Sequence, residues 1–144
     1  MAFNQNKILR GTFGKLWVNN EKMANIKSFE AKVTGDYESV NVAEDFGEKQ
    51  RYMGYSISGT MTFHKYDSKI ASIYKDAFET GVIPEITLIA AIDDPSVDGV
   101  ERVALYDVTF DEFTLGKFEG KTILEEEVPF KAGSYKYLDL IEEE

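Results

Sequence analysis

Strict two-residue alternation from Gly54 to His64, GYSISGTMTFH, constrains this chain more than any other stretch. Ile57, Met61 and Phe63 point one way, with Gly59 between them. Ser56, Ser58, Thr60, Thr62 and His64 point the other way. A period of two belongs to a strand with one apolar and one polar face. The polar side carries small hydroxyls rather than long charged chains. Three more segments alternate in a comparable way, with acids on the polar side. Such strands suit a sheet that buries one face and offers a smooth aqueous surface with the other. The pattern does not look like an active site.

The same reading extends along the chain. Residues 1–11 read as a loose arm in which Lys7, Ile8 and Leu9 are available to a neighbour. Thr12 to Val18 reads as a short strand, closed by an Asn19-Asn20 hairpin turn because Asn tolerates positive φ. Met23 to Val42 is a long strand, with Phe29, Ala31, Val33 and Tyr37 opposite Glu30, Lys32, Thr34, Asp36 and Glu38. Gly35 marks a bulge or bend within it. Alternation breaks over residues 43–53, which read as a long inter-strand loop; a hairpin needs far fewer residues, so the length asks for a purpose.

Asp67 to Thr80 reads as one helix. Asp67 or Ser68 caps its start, Ile70, Ile73, Tyr74, Ala77 and Phe78 form its apolar stripe, and Gly81 ends it. Glu85 to Ile92 is an apolar, buried strand, and residues 93–99 are a turn. Val100 to Phe113, Lys117 to Phe130 and Ser134 to Ile141 complete the strands. The predicted fold is mainly β: a β-sandwich or barrel with one flanking α-helix. A length of 144 residues favours one domain over 1–144.

Composition narrows the function. Hydrophobic residues make up 43%, enough for a core, yet no apolar run is long enough to cross a bilayer, so no stable membrane association is expected. The N-terminus lacks the apolar centre of a signal peptide. A formal net charge of -10, with lysines and arginines scattered, disfavours gripping nucleic acid. There is no cysteine. His64 is the single histidine, so a Ser-His-Asp triad would depend on it, and a zinc site would lack its usual ligands. Asp94, Ser96, Asp98 and Gly99 imitate the start of a calcium loop, but the twelfth residue is Leu105 rather than a bidentate Glu, so an ordinary turn is the better reading. Gly11 and Gly14 have no following GK[ST]. Carboxylate pairs lie at regular strand spacing, as on a solvated sheet. No enzyme activity, cofactor or metal is expected.

Two longer stretches carry a resemblance. GTFGKLWVNNEKMANIKSFEAKV looks like an opening hairpin, and residues 47–68, GEKQRYMGYSISGTMTFHKYDS, combine a polar loop, a Ser-Gly-Thr strand and a helix start. A helix, a Pro-initiated strand and terminal strands follow in order. Over nearly its whole length the chain resembles the XkdM-like tail tube proteins of contractile phage tails and PBSX-like particles. The resemblance implies a structural protein that forms stacked hexameric rings around a hollow bore, assembled in the bacterial host cytoplasm into a virion tail or phage-tail-like particle. It implies a tail sheath protein and baseplate or tail-terminator proteins as partners. DNA would pass without specific binding, or the tube would puncture a membrane.

On that reading the expected lumen face is Glu30, Asp36, Glu38, Ser58, Thr60, Thr62, Asp107, Asp111, Glu125 and Glu127, a wall whose like charge keeps phosphates off. The assignment is reversible on the 103–111 strand, where Val103 and Leu105 share the acidic side. The expected ring-stacking loop carries Glu44, Asp45, Glu48, Lys49 and Arg51. The alternatives are a secretion-system tube or another ring former of the same fold, and a monomeric β-sandwich that binds a ligand.

Overall fold

The apolar half of each alternating segment needs a second layer to cover it, and two antiparallel sheets supply one another's cover. A computed structural model describes residues 3–142. The strands are β1 (Gly14–Val18), β2 (Glu21–Lys22), β3 (Ile26–Val40), β4 (Lys49–His64), β5 (Leu88–Ile92), β6 (Glu101–Tyr106), β7 (Thr109–Phe110), β8 (Glu125–Ala132) and β9 (Ser134–Asp139). Five of them form one sheet, in the order β2-β1-β5-β6-β9, and four form the other, in the order β3-β4-β8-β7. Leu16, Val18, Leu88 and Leu105 of the first sheet pack in one core with Ile57, Met61, Phe63, Phe110, Val128 and Phe130 of the second. Burying each such side chain contributes about 1.5–3 kcal/mol. The mainly β fold is the one the alternation predicts.

Local chemistry shapes the ends. Asn19 and Asn20 hold φ of 50° and 69° and close the β1–β2 hairpin as expected. Residues 11–13 form a 3-10 turn, so β1 starts later than Thr12. The single helix of the sequence reading is two short ones, α1 (Lys69–Tyr74) and α2 (Ala77–Thr80), parted by a turn at Lys75 and Asp76. Asp is a weak helix former, and Asp76 falls inside the expected helical run. Ile70, Tyr74 and Ala77 are buried, but the break leaves Phe78 57% exposed, stacked on Phe113 at 5.9 Å. Asp67 accepts from the Lys69 N–H, and Gly81, at φ 76°, donates to the Ala77 carbonyl. No helix among the described residues is long and apolar enough to cross a membrane.

Two long strands of the sequence reading are shorter or divided. Val100–Phe113 is β6 in one sheet and β7 in the other, and Asp107, at φ 53°, turns the corner between them. That corner reverses the phase. Val103 and Leu105 face the core before it, and Val108 and Phe110 face the core after it. Residues 117–124 are not strand; β8 begins at Glu125.

Candidate functional site: a polar sheet face and a projecting ribbon

Register sets the polar face. Cross-strand rows run Ser28–Thr62–Glu127, Glu30–Thr60–Pro129 and Lys32–Ser58–Lys131, while His64 lies opposite Glu125. Residues opposite one another share a face. Glu30, Ser58, Thr60, Thr62, Glu125 and Glu127 are thus brought together on the side away from the core. Asp36, opposite Gly54, stands at the end of this field, and Glu38, opposite Arg51, lies further out. Asp111 joins at the edge: its N–H donates to the Pro129 carbonyl and its carboxylate meets Lys131 at 3.1 Å. Asp107 does not belong to these rows. It sits at the corner between sheets, because the phase reverses there.

The face is less acidic than the sequence reading expects. Lys27 donates to Glu125 at 2.7 Å, Lys32 meets Glu30 at 3.1 Å, and Lys131 meets Asp111. The Lys27 hydrogen bond lowers the Glu125 carboxyl below its ordinary value, against a smaller opposing effect of burial. Asp36 and Glu127 keep no ion-pair partner among the described residues. Lys27 reaches this side through a register shift between Ile26 and Ser28, which alternation does not encode. Along β4 the centre of the face is Ser56, Ser58, Thr60 and Thr62, a carpet of hydroxyls between bars of paired charge.

Gly59 explains the Ser-Gly-Thr motif. A Cβ there would lie 2.2 Å from the Glu30 carbonyl oxygen and 2.7 Å from the Phe130 ring. Phe130 stacks on Phe29 at 5.7 Å, so the two rings occupy the space on the core side where the glycine leaves room.

Beyond Ile57 and its partner Ala132, β8 ends, and the outer halves of β3 and β4 pair only with each other. This projecting ribbon bares Val33, Tyr37, Val40, Tyr52, Met53 and Tyr55, and its tip bares Val42 and Phe46. The loop expected over 43–53 is in fact a tip over 41–48. Glu44, Asp45 and Glu48 lie in it, whereas Lys49 and Arg51 belong to β4, opposite Val40 and Glu38. The pairing skips Met53, next to Gly54 at φ 148°, and this irregularity interrupts the alternation that marks a strand. The expected bend at Gly35 is therefore on the facing strand; Gly35 itself lies under the Tyr37 ring. Asp45 steadies the tip by accepting from the Gly47 N–H at 2.8 Å and meeting Lys49 at 3.5 Å.

The N-terminal arm is fastened at its root. Arg10 donates its backbone N–H and its guanidinium to both oxygens of Asp94, at 2.8–3.0 Å, and lies over the Phe13 ring. Asp94 also accepts from the Ser96 N–H. Its carboxyl is held well below the usual range, first by the Arg10 hydrogen bond and then by Ser96. Asp94 is thus the anchor of a turn, with its oxygens already engaged. Phe3 and Ile8 are exposed beyond that root.

Comparison with known proteins accords with this geometry. The family described as phage tail tube protein matches residues 1–139. The phage-like element PBSX protein XkdM of Bacillus subtilis (strain 168) is 38% identical over 132 residues, covering 90% of each chain. The fold is shared with the tube terminating cap of the anti-feeding prophage, at a TM-score of 0.77 and 8% identity, over 97% of this chain and 95% of that one. It is also shared with a chain of the sheath/tube terminator of the extracellular contractile injection system PVC, at a TM-score of 0.75 and 9% identity, over 90% of this chain and 96% of that one. A match across almost the full length and a relative well above 30% identity place the chain in the phage tail tube protein family.

Proposed function

We propose that copies of this chain join edge to edge through the four-stranded sheet into hexameric rings, and that the rings stack into the inner tube of a contractile tail or tail-like particle. The polar face lines the bore, and DNA or another cargo passes along it without being held. The observation that carries this reading is the sheet itself. One face is core, the other is a field of hydroxyls and mostly paired charges with one hollow, where residues 112–117 meet Thr62, Glu125 and Glu127, and the long strand β3 is an edge with no strand on its outer side. An unpaired edge of this length invites pairing with another chain, and ring closure removes it. Unpaired Asp36 and Glu127 leave the face weakly negative, which keeps phosphates from adhering over a range set by a screening length of about 8–10 Å.

The ribbon reaches the next ring with Phe46 and the mixed charges of the tip, and the five-stranded sheet is turned outward to a tail sheath protein. Baseplate and terminator proteins meet the ends. The relatives are structural proteins, and the same work is proposed here in place of catalysis. Electron cryomicroscopy of assembled tubes tests the reading: Glu30, Asp36, Glu125 and Glu127 should border the central hole, and finding them on the outer wall overturns it.

A second reading is a ring that caps a tube, favoured by the fold shared with two tube terminators. Tubes many rings long support the first reading; single rings that never stack support the second.

A further inference from the structure

The two edges of the four-stranded sheet differ in shape at the same height. On the β3 side the sheets part and leave a cleft of about 790 Å³, walled by Phe29 and Ala31 on one side and Leu16, Ala90 and Val103 on the other. These are core-facing side chains that reach the rim of the sandwich. On the β8 side, residues 111–124 do not join the sheet as strand, and residues 112–117 border its polar face in a hollow of about 410 Å³ with Thr62, Glu125 and Glu127. Residues 111–124 hold Leu115 92%, Phe118 90% and Ile123 77% exposed.

Register fixes the relative heights. Residues 111–124 leave beside Pro129 and re-enter the sheet at Glu125. The rows through Pro129 and Glu127 end on β3 at Glu30 and Ser28, both lining the cleft. The two ends of the segment and the cleft therefore lie at one level of the sheet, the ends on the β8 side and the cleft on the β3 side.

We propose that the occupant of the cleft is a second copy of this chain, whose 111–124 segment inserts Leu115 and Phe118 beside Phe29 and Ala31. This rests on the ring reading above and names the contact that seals each ring. The two surfaces differ, so the contact is head-to-tail, and repetition closes a ring when no axial offset accumulates. Equal height on the two edges favours closure over a climbing helix.

The chain has no cysteine, which allows a direct test. Phe118→Cys and Ala31→Cys are placed together in the full chain, which is assembled, oxidised and run on a non-reducing gel beside electron micrographs. A ladder of covalent oligomers ending at the copy number of the ring is the expected result. Rings without a ladder overturn this contact and leave the ring reading standing. An oxidised monomer of altered mobility places the segment in its own cleft and also overturns it. If the unmodified chain forms no rings even when seeded with the ends of preformed tubes, the ring reading fails and this contact fails with it. As an independent arm, Leu115→Ser with Phe118→Ser should melt as the parent does, since both side chains are in solvent, yet lose ring formation. Undiminished ring formation by that variant refutes the proposal.

Discussion

At the scale of single residues, two positions are governed by distant partners. Gly59 is required because backbone and a phenyl ring occupy the space of a side chain. Gly59→Ala should destabilise the subunit by roughly 1–3 kcal/mol or more, read from denaturant unfolding. A neutral outcome would mean that β3 or Phe130 shifts aside at little cost. Asp94 is governed by Arg10. Its folded carboxyl lies below the ordinary value of 3.8, so its stabilisation is present above that value and is lost progressively as pH falls from there through the lower folded value. Asp94→Asn should therefore melt lower than the parent at neutral pH, with the gap narrowing between about pH 5 and about pH 2. A gap that does not change with pH would remove the ion pair from the account. The sequence shows Gly59 as a gap in an apolar row and Asp94 as part of an acidic turn. The ring that fills the first and the cation that engages the second are many residues away, so neither role is legible from local pattern.

At the scale of elements, period two was a reliable guide wherever a strand stays regular against one partner. The Ile57–Phe63 core face and the hydroxyl carpet opposite it were legible for that reason. Three breaks of phase were not. The skipped Met53 hides the outer half of β4 inside an apparent loop. Asp107 turns a run of alternation into two strands facing one core from different sheets. The Lys75–Asp76 turn divides a helix and leaves Phe78 outside its expected stripe. Each is a backbone event one or two residues long, and each shifts the meaning of side chains after it. The corrected ribbon makes a specific prediction. Replacing residues 41–48 by an Asn-Gly turn should leave the melting temperature of the subunit nearly unchanged, because the tip lies outside the core. Sedimentation and electron microscopy should then show rings that fail to stack, and tubes of normal length would separate the tip from stacking.

At the scale of the whole molecule, the polar face decides what a bore built from it would do. Lys27, Lys32 and Lys131 temper the acids, so repulsion of phosphate is mild and falls with salt. Glu125→Lys with Glu127→Lys should preserve ring and tube formation while slowing DNA passage in particles that carry DNA, most of all at low ionic strength. Delivery at the parental rate would remove charge from the explanation and leave the hydroxyl carpet to account for free passage. Net acidity was legible in composition, but its distribution was not, since ion pairing depends on which strands meet and in what register.

The projecting ribbon has a last consequence. Two strands without a third are at best marginally stable in water, and here their apolar side chains stay about half exposed. If the proposed stacking holds, a newly made subunit carries an unfinished limb that hardens against the next ring. Beginning a polymer from nothing then demands that several such limbs settle at once, whereas adding to an existing end settles them on a surface already in place. On the tube reading proposed above, subunits of this design would wait for a starter.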